Sequence, residues 1–203
     1  MSTHELSRTR RRTHAALVAA ARELVAEGLT PTVEDAAARA DVSRTTAYRY
    51  FPDRTALLVA AHPEVGATSL LGEDPPDDPV ARVEQVVDRY LDVILDSEAQ
   101  QRTMLRLSLD PDLDDERRTA LPLRQGRVVG WLVDALEPLA DRWSADERRA
   151  VACAIRAASG IESLVWLVDV AGLSREQARA QMRWSAMALL AEAIRSGPPT
   201  VVR

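Results

Sequence analysis

The chain has 203 residues, of which 46% are hydrophobic and 28% charged, and its formal net charge is −5. This composition is typical of a soluble globular protein and excludes a collagenous, disordered or disulfide-rich chain. Cys153 is the only cysteine, so neither an intrachain disulfide nor a four-cysteine zinc site can form within one chain. Because Cys153 lies in an apolar run, we expect its thiol to be buried and inert.

Two further features of composition concern location and partners. The N-terminus lacks the apolar core of a signal peptide, and no uninterrupted apolar stretch approaches the length of a membrane span. We therefore expect a cytoplasmic protein without membrane contact. Residues 1–60 carry nine Arg and seven acids, whereas residues 61–203 carry 17 Arg and 24 acids. A basic end on an acidic body is typical of a protein that contacts DNA at one end only.

The N-terminal third has the pattern of a small helical domain. Ala and Leu are abundant and strand-like alternation is scarce, so the sequence predicts an all-α fold. Residues 1–11 are predicted to be a disordered basic arm, and residues 12–63 a DNA-binding domain. Its helices are expected at about 12–27, 33–40, 44–50 and 54–63. Thr32 to Asp35 has the form of a capping box, and Ser43 is a candidate N-cap.

The second and third predicted helices have the spacing of a helix-turn-helix. Ala36, Ala37 and Ala40 provide small residues where two such helices cross, and the outer face of the third helix is polar. Arg can donate two hydrogen bonds to guanine, and a Thr methyl group can contact thymine. The candidate DNA-binding residues are Thr32, Ser43, Arg44, Thr45, Thr46, Tyr48, Arg49, Tyr50 and Arg54. Tyr50 fits a core position equally well, and residues 8–12 fit either a minor-groove arm or a solvated tail.

At these residues the sequence resembles a known family. Residues 29–37 and 41–54, most specifically the block 48–51, resemble the DNA-binding domain of the TetR family of repressors. The resemblance implies an all-α homodimer that binds palindromic operators in double-stranded DNA, with a ligand pocket in a larger C-terminal domain. It assigns phosphate contacts to Thr32, Tyr48 and Arg54. It assigns base contacts to Arg44, Thr45 and Arg49.

The remaining chain is predicted to be an acidic, Pro- and Gly-containing loop at 64–78, followed by a larger helical bundle at 79–203 for ligand binding and dimerisation. Helices are expected at about 79–96, 98–109, 121–142, 145–170 and 175–195. Large apolar side chains and a few polar groups on the middle helices suit a ligand site. The candidates are Met104, Leu107, Ser108, Arg127, Trp131, Glu162, Trp166 and Asp169. Each of them also fits an ordinary core or surface position.

Small and apolar residues form stripes on the last two predicted helices. Two such helices from each of two subunits would make a four-helix bundle, and packing within one subunit is the alternative. The candidate dimer-interface residues are Val151, Ile155, Ala158, Ala178, Met182, Ala186, Leu189 and Ala193. Dimerisation would place two recognition helices about 34–36 Å apart, in successive major grooves.

The sequence therefore predicts a ligand-responsive transcriptional regulator, a repressor that a small-molecule effector releases from its operator. A constitutive DNA-binding protein or an activator without a ligand is the alternative. An enzyme is not expected, because His4, His14 and His62 all lie in or near the DNA-binding domain and no catalytic motif is found. No cofactor or metal is expected.

Overall fold

In a computed structural model, residues 3–62, 69–111, 116 and 126–199 are described, and these residues form helices and turns with no strand among them. The predicted all-α fold is thus confirmed. The helices are α1 (Thr3–Ala26), α2 (Val33–Arg39), α3 (Arg44–Tyr50), α4 (Arg54–Ala61), α5 (Pro79–Asp96), α6 (Glu98–Ser108), α7 (Arg127–Ala135), α8 (Ala145–Ser159), α9 (Ile161–Val165) and α10 (Arg175–Ser196). Of the predicted loop 64–78, residues 69–78 are described and contain no helix. Residues 121–125, where the sequence predicts the start of a helix, lie outside the described residues.

The described residues divide into two compact units. The N-terminal unit takes its residues from 1–65 and 99–125, and the C-terminal unit from 66–98 and 126–203. Nearly all of α6 therefore belongs to the N-terminal unit, although the sequence predicts that the helix at 98–109 belongs to the C-terminal bundle. The prediction relied on the position of this helix along the chain, whereas its place in the fold depends on the residues against which it packs.

The start of α1 corrects one expectation. The sequence predicts a disordered arm over residues 1–11, but α1 begins at Thr3. Residues 3–26 contain neither Gly nor Pro, and Arg, Glu and Leu are good helix formers. The helix therefore extends through the basic run that was expected to precede it.

The N-terminal unit is built around small residues. Ala36 and Ala47 are fully buried where α2 and α3 approach each other, and Phe51 is buried beside them. A second cluster forms where α6 packs on this unit, with Met104 and Leu107 against Val25 and Leu58. The described residues of the unit thus form apolar clusters on both sides of α1 and α4.

The C-terminal unit contains longer helices whose starts are defined by caps. Ser144 with Glu147 and Ser174 with Gln177 form capping boxes at α8 and α10, and each satisfies a backbone N–H that has no partner within the helix. Helix α10 packs along α8 and α5. Cys153 is exposed on α8, so the expectation of a buried thiol is wrong: the apolar run continues onto the outer face of the helix.

The helix predicted over 145–170 is interrupted at Gly160. The backbone there is extended, α9 follows, and Trp166–Val170 form a π-helical turn. A Cβ atom on Gly160 would overlap the guanidinium of Arg156, which reaches past this point to pair with Glu162 at 2.9 Å. A larger residue at position 160 would therefore require the side chains of Arg156 and Glu162 to move.

Within the described residues, the stretch Ala145–Val170 is long and apolar enough to resemble a membrane span. The interruption at Gly160 divides it, and Val151, Ile155, Ile161 and Leu164 are buried in the C-terminal unit. These contacts are typical of a core helix in a protein that is not embedded in a membrane.

Candidate nucleic-acid interface

Helices α2 and α3 form a helix-turn-helix closed by a tight turn. The N–H of Val42 donates to the carbonyl of Ala37 at 2.9 Å, and Asp41 between the helices has a φ of +53°. This left-handed conformation favours glycine, and the short polar side chain of Asp tolerates it better than most residues do. The turn therefore closes with Asp41 in the left-handed position.

The outer face of α3 is polar and exposed. Arg44, Thr45, Tyr48 and Arg49 all face solvent, while Ala47 on the opposite side is fully buried. The structure thus brings four of the predicted DNA-binding residues together on one helix face. Such a face can donate hydrogen bonds to base edges in a major groove.

The hydroxyl groups near this face are used in helix caps. Thr32 Oγ1 accepts from the N–H of Asp35 at 3.1 Å and donates to its Oδ2 at 2.7 Å. Ser43 Oγ accepts from the N–H of Thr46 at 3.3 Å and donates to Thr46 Oγ1 at 2.8 Å. The proton of Thr46 Oγ1 can therefore go to a phosphate oxygen, whereas Thr32 would have to leave its cap to donate one.

Glu34, which the sequence did not single out as a contact, connects α2 to two exposed residues of α3. Its Oε1 accepts a hydrogen bond from Tyr48 Oη at 2.7 Å and forms an ion pair with Arg44. The hydrogen bond from Tyr48 lowers the pKa of Glu34 below its ordinary 4.5 and raises the pKa of Tyr48. The partners are 14 and 10 residues away along the chain, so local sequence patterns could not reveal these contacts.

The remaining two predicted DNA-binding residues differ in burial. Tyr50 is half-buried against the core, and its ring lies edge-on to that of His14 at a centroid distance of 6.3 Å. This position favours its alternative as a packing residue. Arg54 is exposed at the start of α4, directly after the cap Asp53.

The N-terminal part of α1 lies beside α3. Thr9 and Arg10 line a groove of about 410 Å³ together with Thr46, Arg49 and Tyr50. The two arginines and the threonines are suitable groups for an anion. Arg10 belongs to the arginine-rich run at residues 8–12, for which the sequence predicts either a minor-groove arm or a solvated tail.

The candidate ligand residues are divided between the two units. Met104 and Leu107 are core residues of the N-terminal unit, and the hydroxyl of Ser108 donates to the carbonyl of Leu105 at 2.8 Å. The other five candidates belong to the C-terminal unit: Arg127, Trp131, Glu162, Trp166 and Asp169. The sequence grouped these residues because it assigned all of α6 to the C-terminal bundle.

Two of these candidates share a groove. Glu162 and Trp166 line a space of about 390 Å³ on the C-terminal unit. The other lining residues are Ala158, Ser163, Leu167, Gln181, Met182 and Ser185. Trp131 is buried in the core, and Asp169 is exposed on the π-helical turn.

Most candidate dimer-interface residues are buried within the chain itself. Val151, Ile155, Ala178, Met182, Ala186 and Ala193 are each at most 4% exposed, so they form the chain's own core, as the alternative of packing within one subunit requires. Ala158 is half-buried and Leu189 is 38% exposed. The exposed apolar residues lie on other faces of the same segments, with Trp184 at 66% and Trp166 at 58%.

Among the described residues, no group of three or more His, Cys, Asp or Glu side chains is placed to hold a metal ion. The arrangement of exposed arginines and hydroxyls on α3 suits contact with an anionic polymer.

Comparison with known proteins agrees with this geometry. The sequence model described as "Bacterial regulatory proteins, tetR family" matches residues 16–61. No curated protein matches the sequence significantly. A solved structure, described as a TetR transcriptional regulator from Rhodococcus sp. RHA1, matches with a TM-score of 0.58 over 91% of this chain and 98% of that chain, at 20% identity. The structural match shows a shared fold. Residues 16–61 are thus similar to the DNA-binding part of the tetR family of bacterial regulatory proteins, and the chain shares the fold of a TetR transcriptional regulator.

Proposed function

We propose that this protein is a ligand-responsive repressor that binds a palindromic operator as a homodimer and leaves it when a small molecule binds. The observation that carries the proposal is the exposed face of α3, where Arg44, Thr45 and Arg49 project from a capped helix-turn-helix. Arginine can donate two hydrogen bonds to guanine, and threonine can contact the thymine methyl group. These three residues are the proposed base contacts.

Several neighbouring groups support phosphate contacts that would fix the position of α3 on DNA. Arg54 is exposed at the start of α4, and the Thr46 hydroxyl has a proton to donate. Arg10 and Thr46 line the groove between α1 and α3. We propose that a backbone phosphate binds in this groove, which would extend the DNA contact beyond the helix-turn-helix.

The distribution of apolar residues around α10 supports dimerisation. One side of this helix covers the core with Ala178, Met182 and Ala186, while Trp184 and Leu189 remain exposed on other sides. Exposed apolar patches on a protein surface often mark a site of contact with another protein chain. We propose that a second copy of the chain covers the exposed side, since a palindromic operator requires a twofold-symmetric partner.

The groove beside Trp166 is the proposed effector site. It combines aromatic and aliphatic walls with Glu162 and Gln181, which suits a mainly apolar molecule that carries hydrogen-bond donors. Trp166 belongs both to this groove and to the exposed apolar residues of the C-terminal unit. An effector that binds there would therefore contact the proposed dimer surface, and a coupling of about 1–3 kcal/mol would suffice for control.

The DNA-binding part of the proposal is tested by selecting duplexes from a random pool with the purified protein. We expect two half-sites related by twofold symmetry, and Arg49→Ala should weaken binding to the selected duplex by about 1–3 kcal/mol. Arg142→Ala, which removes an exposed arginine of the C-terminal unit, is the matched control and should bind as the wild type does. Failure of the wild type to bind any duplex at low salt would overturn the proposal.

Repression and ligand control need separate measurements. A reporter placed behind the selected duplex should be expressed less in the presence of the protein, whereas increased expression would identify an activator. A panel of apolar compounds carrying hydrogen-bond donors should include one that releases the duplex from the wild type and fails to release it from Trp166→Ala. Release of both proteins by the same compound would place the effector site elsewhere.

A further inference from the structure

We infer that Glu34 sets DNA sequence selectivity by directing Arg44 and Tyr48 toward base edges and away from phosphates. The inference rests on the proposed function of α3 as the DNA-reading helix. Its structural basis is the single carboxylate oxygen, Glu34 Oε1, that contacts both side chains. Glu34 is thus a positioning residue, which acts on DNA through two residues of the neighbouring helix.

A simpler role for Glu34 would be to stabilise the start of α2. Acidic residues in the first turn interact favourably with the helix dipole, and Glu34 and Asp35 both lie there. Asp35 already closes the capping box with Thr32. The carboxylate of Glu34 instead reaches across to α3, and a role in α2 alone does not explain that contact.

The ion pair changes what Arg44 can offer to DNA. Glu34 compensates the positive charge of the guanidinium, so its attraction to phosphate is reduced. The contact uses Nη2, while arginine has five N–H donors in all. With its side chain 72% exposed, Arg44 keeps the second N–H of Nη2 and a neighbouring donor, and these two can still bind the N7 and O6 atoms of guanine. The pair therefore removes an unspecific attraction and retains directional donors.

The hydrogen bond has a parallel effect on Tyr48. A tyrosine hydroxyl has one proton, and Tyr48 donates it to Glu34 at 2.7 Å. The hydroxyl oxygen can then only accept a hydrogen bond. Phosphate oxygens are acceptors too, so they are poor partners for it, whereas the amino groups of adenine N6 and cytosine N4 are donors. While Glu34 is ionised, Tyr48 is therefore suited to a base edge.

The charge balance of the helix-turn-helix segment also favours sequence-selective binding over unspecific attraction to DNA. Residues 32–54 contain four Arg and four acids, so the segment has no net charge. Unspecific DNA binding depends on net positive charge near the phosphates. The affinity of this segment for DNA must therefore come from the geometry of individual contacts, because the segment has no net positive charge to attract phosphates.

The test compares Glu34→Gln with the wild type on a selected duplex and on a scrambled duplex across a salt series. The amide can still accept a hydrogen bond, but the charge is gone. We expect one additional phosphate contact on the scrambled duplex: the slope of log K against log salt should steepen by about 0.9, and affinity should rise about eightfold at about 0.1 M salt. Binding to the selected duplex should change less, so the selectivity ratio falls.

Glu27→Gln is the matched control, because Glu27 also pairs with an arginine of the N-terminal unit, Arg39, at 2.8 Å. It should leave the salt slope and the selectivity ratio unchanged. If Glu34→Gln behaves like Glu27→Gln, the inference is overturned while the proposed function stands. If the wild type binds neither duplex, the proposed function fails and the inference fails with it.

A second variant keeps the inference testable if Glu34→Gln does not fold. Tyr48→Phe removes the hydroxyl and retains the ring. We expect it to lose affinity for the selected duplex and to bind the scrambled duplex with the wild-type salt slope. A loss of affinity for the scrambled duplex as well would mean that Tyr48 binds phosphate, contrary to the inference.

Discussion

The two units of this protein hold their helices together in different ways. In the N-terminal unit, short helices begin at caps such as Thr32 and Ser43 and approach each other on alanines. In the C-terminal unit, long helices are joined by a row of ion pairs and leave tryptophans exposed. The first arrangement places one polar helix face toward solvent, whereas the second leaves apolar surface that a partner could cover. The difference fits the roles proposed above, DNA recognition for the N-terminal unit and dimerisation for the C-terminal unit.

The comparison is tested most strongly at Phe51, which joins α3 to the core of the N-terminal unit. It is 3% exposed, and its ring lies 4.9 Å from that of His14. Phe51→Ala should lower the free energy of unfolding by about 3–5 kcal/mol, because a cavity replaces a packed ring. Urea denaturation followed by circular dichroism measures the loss.

The neighbouring Tyr50→Ala is the control for this substitution. Tyr50 is also aromatic but only half-buried, so its loss should be clearly smaller. Equal losses of unfolding free energy at the two positions would mean that Tyr50 is packed as tightly as Phe51. This result would contradict the packing described for this unit.

The second prediction concerns Trp184, one of the exposed tryptophans of the C-terminal unit. Trp184 is 66% exposed in the single chain, so Trp184→Ala should scarcely affect folding. If it lies in the dimer interface, association should weaken by about 2 kcal/mol or more, roughly 30-fold in Kd. Sedimentation equilibrium measures the association.

Trp143→Ala provides the opposite case, because Trp143 is 5% exposed. This variant should lose about 3–5 kcal/mol of unfolding free energy. A Trp184→Ala protein that associates like the wild type would remove this residue from the proposed interface.

Features that depend on neighbouring residues in the sequence were predictable in both units. Several helix starts were predictable in both units, because polar residues such as Ser43 and Ser144 cap the backbone directly after them. The inner face of α3 was predictable as well, since its apolar and polar residues separate clearly. The interruption falls at Gly160, and glycine is unfavourable inside a helix. A glycine alone, however, does not require the helix to break.

What could not be predicted depends on contacts between distant residues. Helix α10 is apolar on several sides, so its sequence did not indicate which side faces the core, and the dimer candidates were placed on the inner side. Met104 and Leu107 belong to the N-terminal unit because of the residues they pack against, Val25 and Leu58. Likewise, Glu34 was recognisable as an acid of the first turn of α2 but not as a partner of Tyr48.

The third prediction compares the caps of the two units. Thr32 and Ser174 each form a capping box, at the start of α2 and of α10. Thr32→Ala and Ser174→Ala should each cost about 1 kcal/mol of unfolding free energy, within a range of about 0.5–2 kcal/mol, because a backbone N–H loses its partner.

Thr45→Ala is the control for the cap prediction, since Thr45 is exposed on α3 and lies outside the cap. Its effect should stay within about 0.5 kcal/mol. Denaturation midpoints in urea distinguish these cases, and a Thr45 effect as large as that of Thr32 would contradict the importance given to the cap.

The smallest predicted effect belongs to the ion pairs between α5 and α10. Arginines at every fourth position of α10 meet acids at every fourth position of α5, and Arg179 pairs with Asp92 at 2.9 Å. A double-mutant cycle with Arg179→Ala and Asp92→Ala should give a coupling energy of about 0.2–1 kcal/mol, because both side chains are partly exposed to solvent.

Raising the salt concentration should reduce this coupling, since ions screen exposed charges, while the losses at Phe51 and Trp143 should persist. The row of ion pairs would then fix the alignment of α10 on α5 and contribute little to stability. A coupling that is large and insensitive to salt would instead mean that the pair is shielded from water, which requires a covering surface that the single chain does not provide.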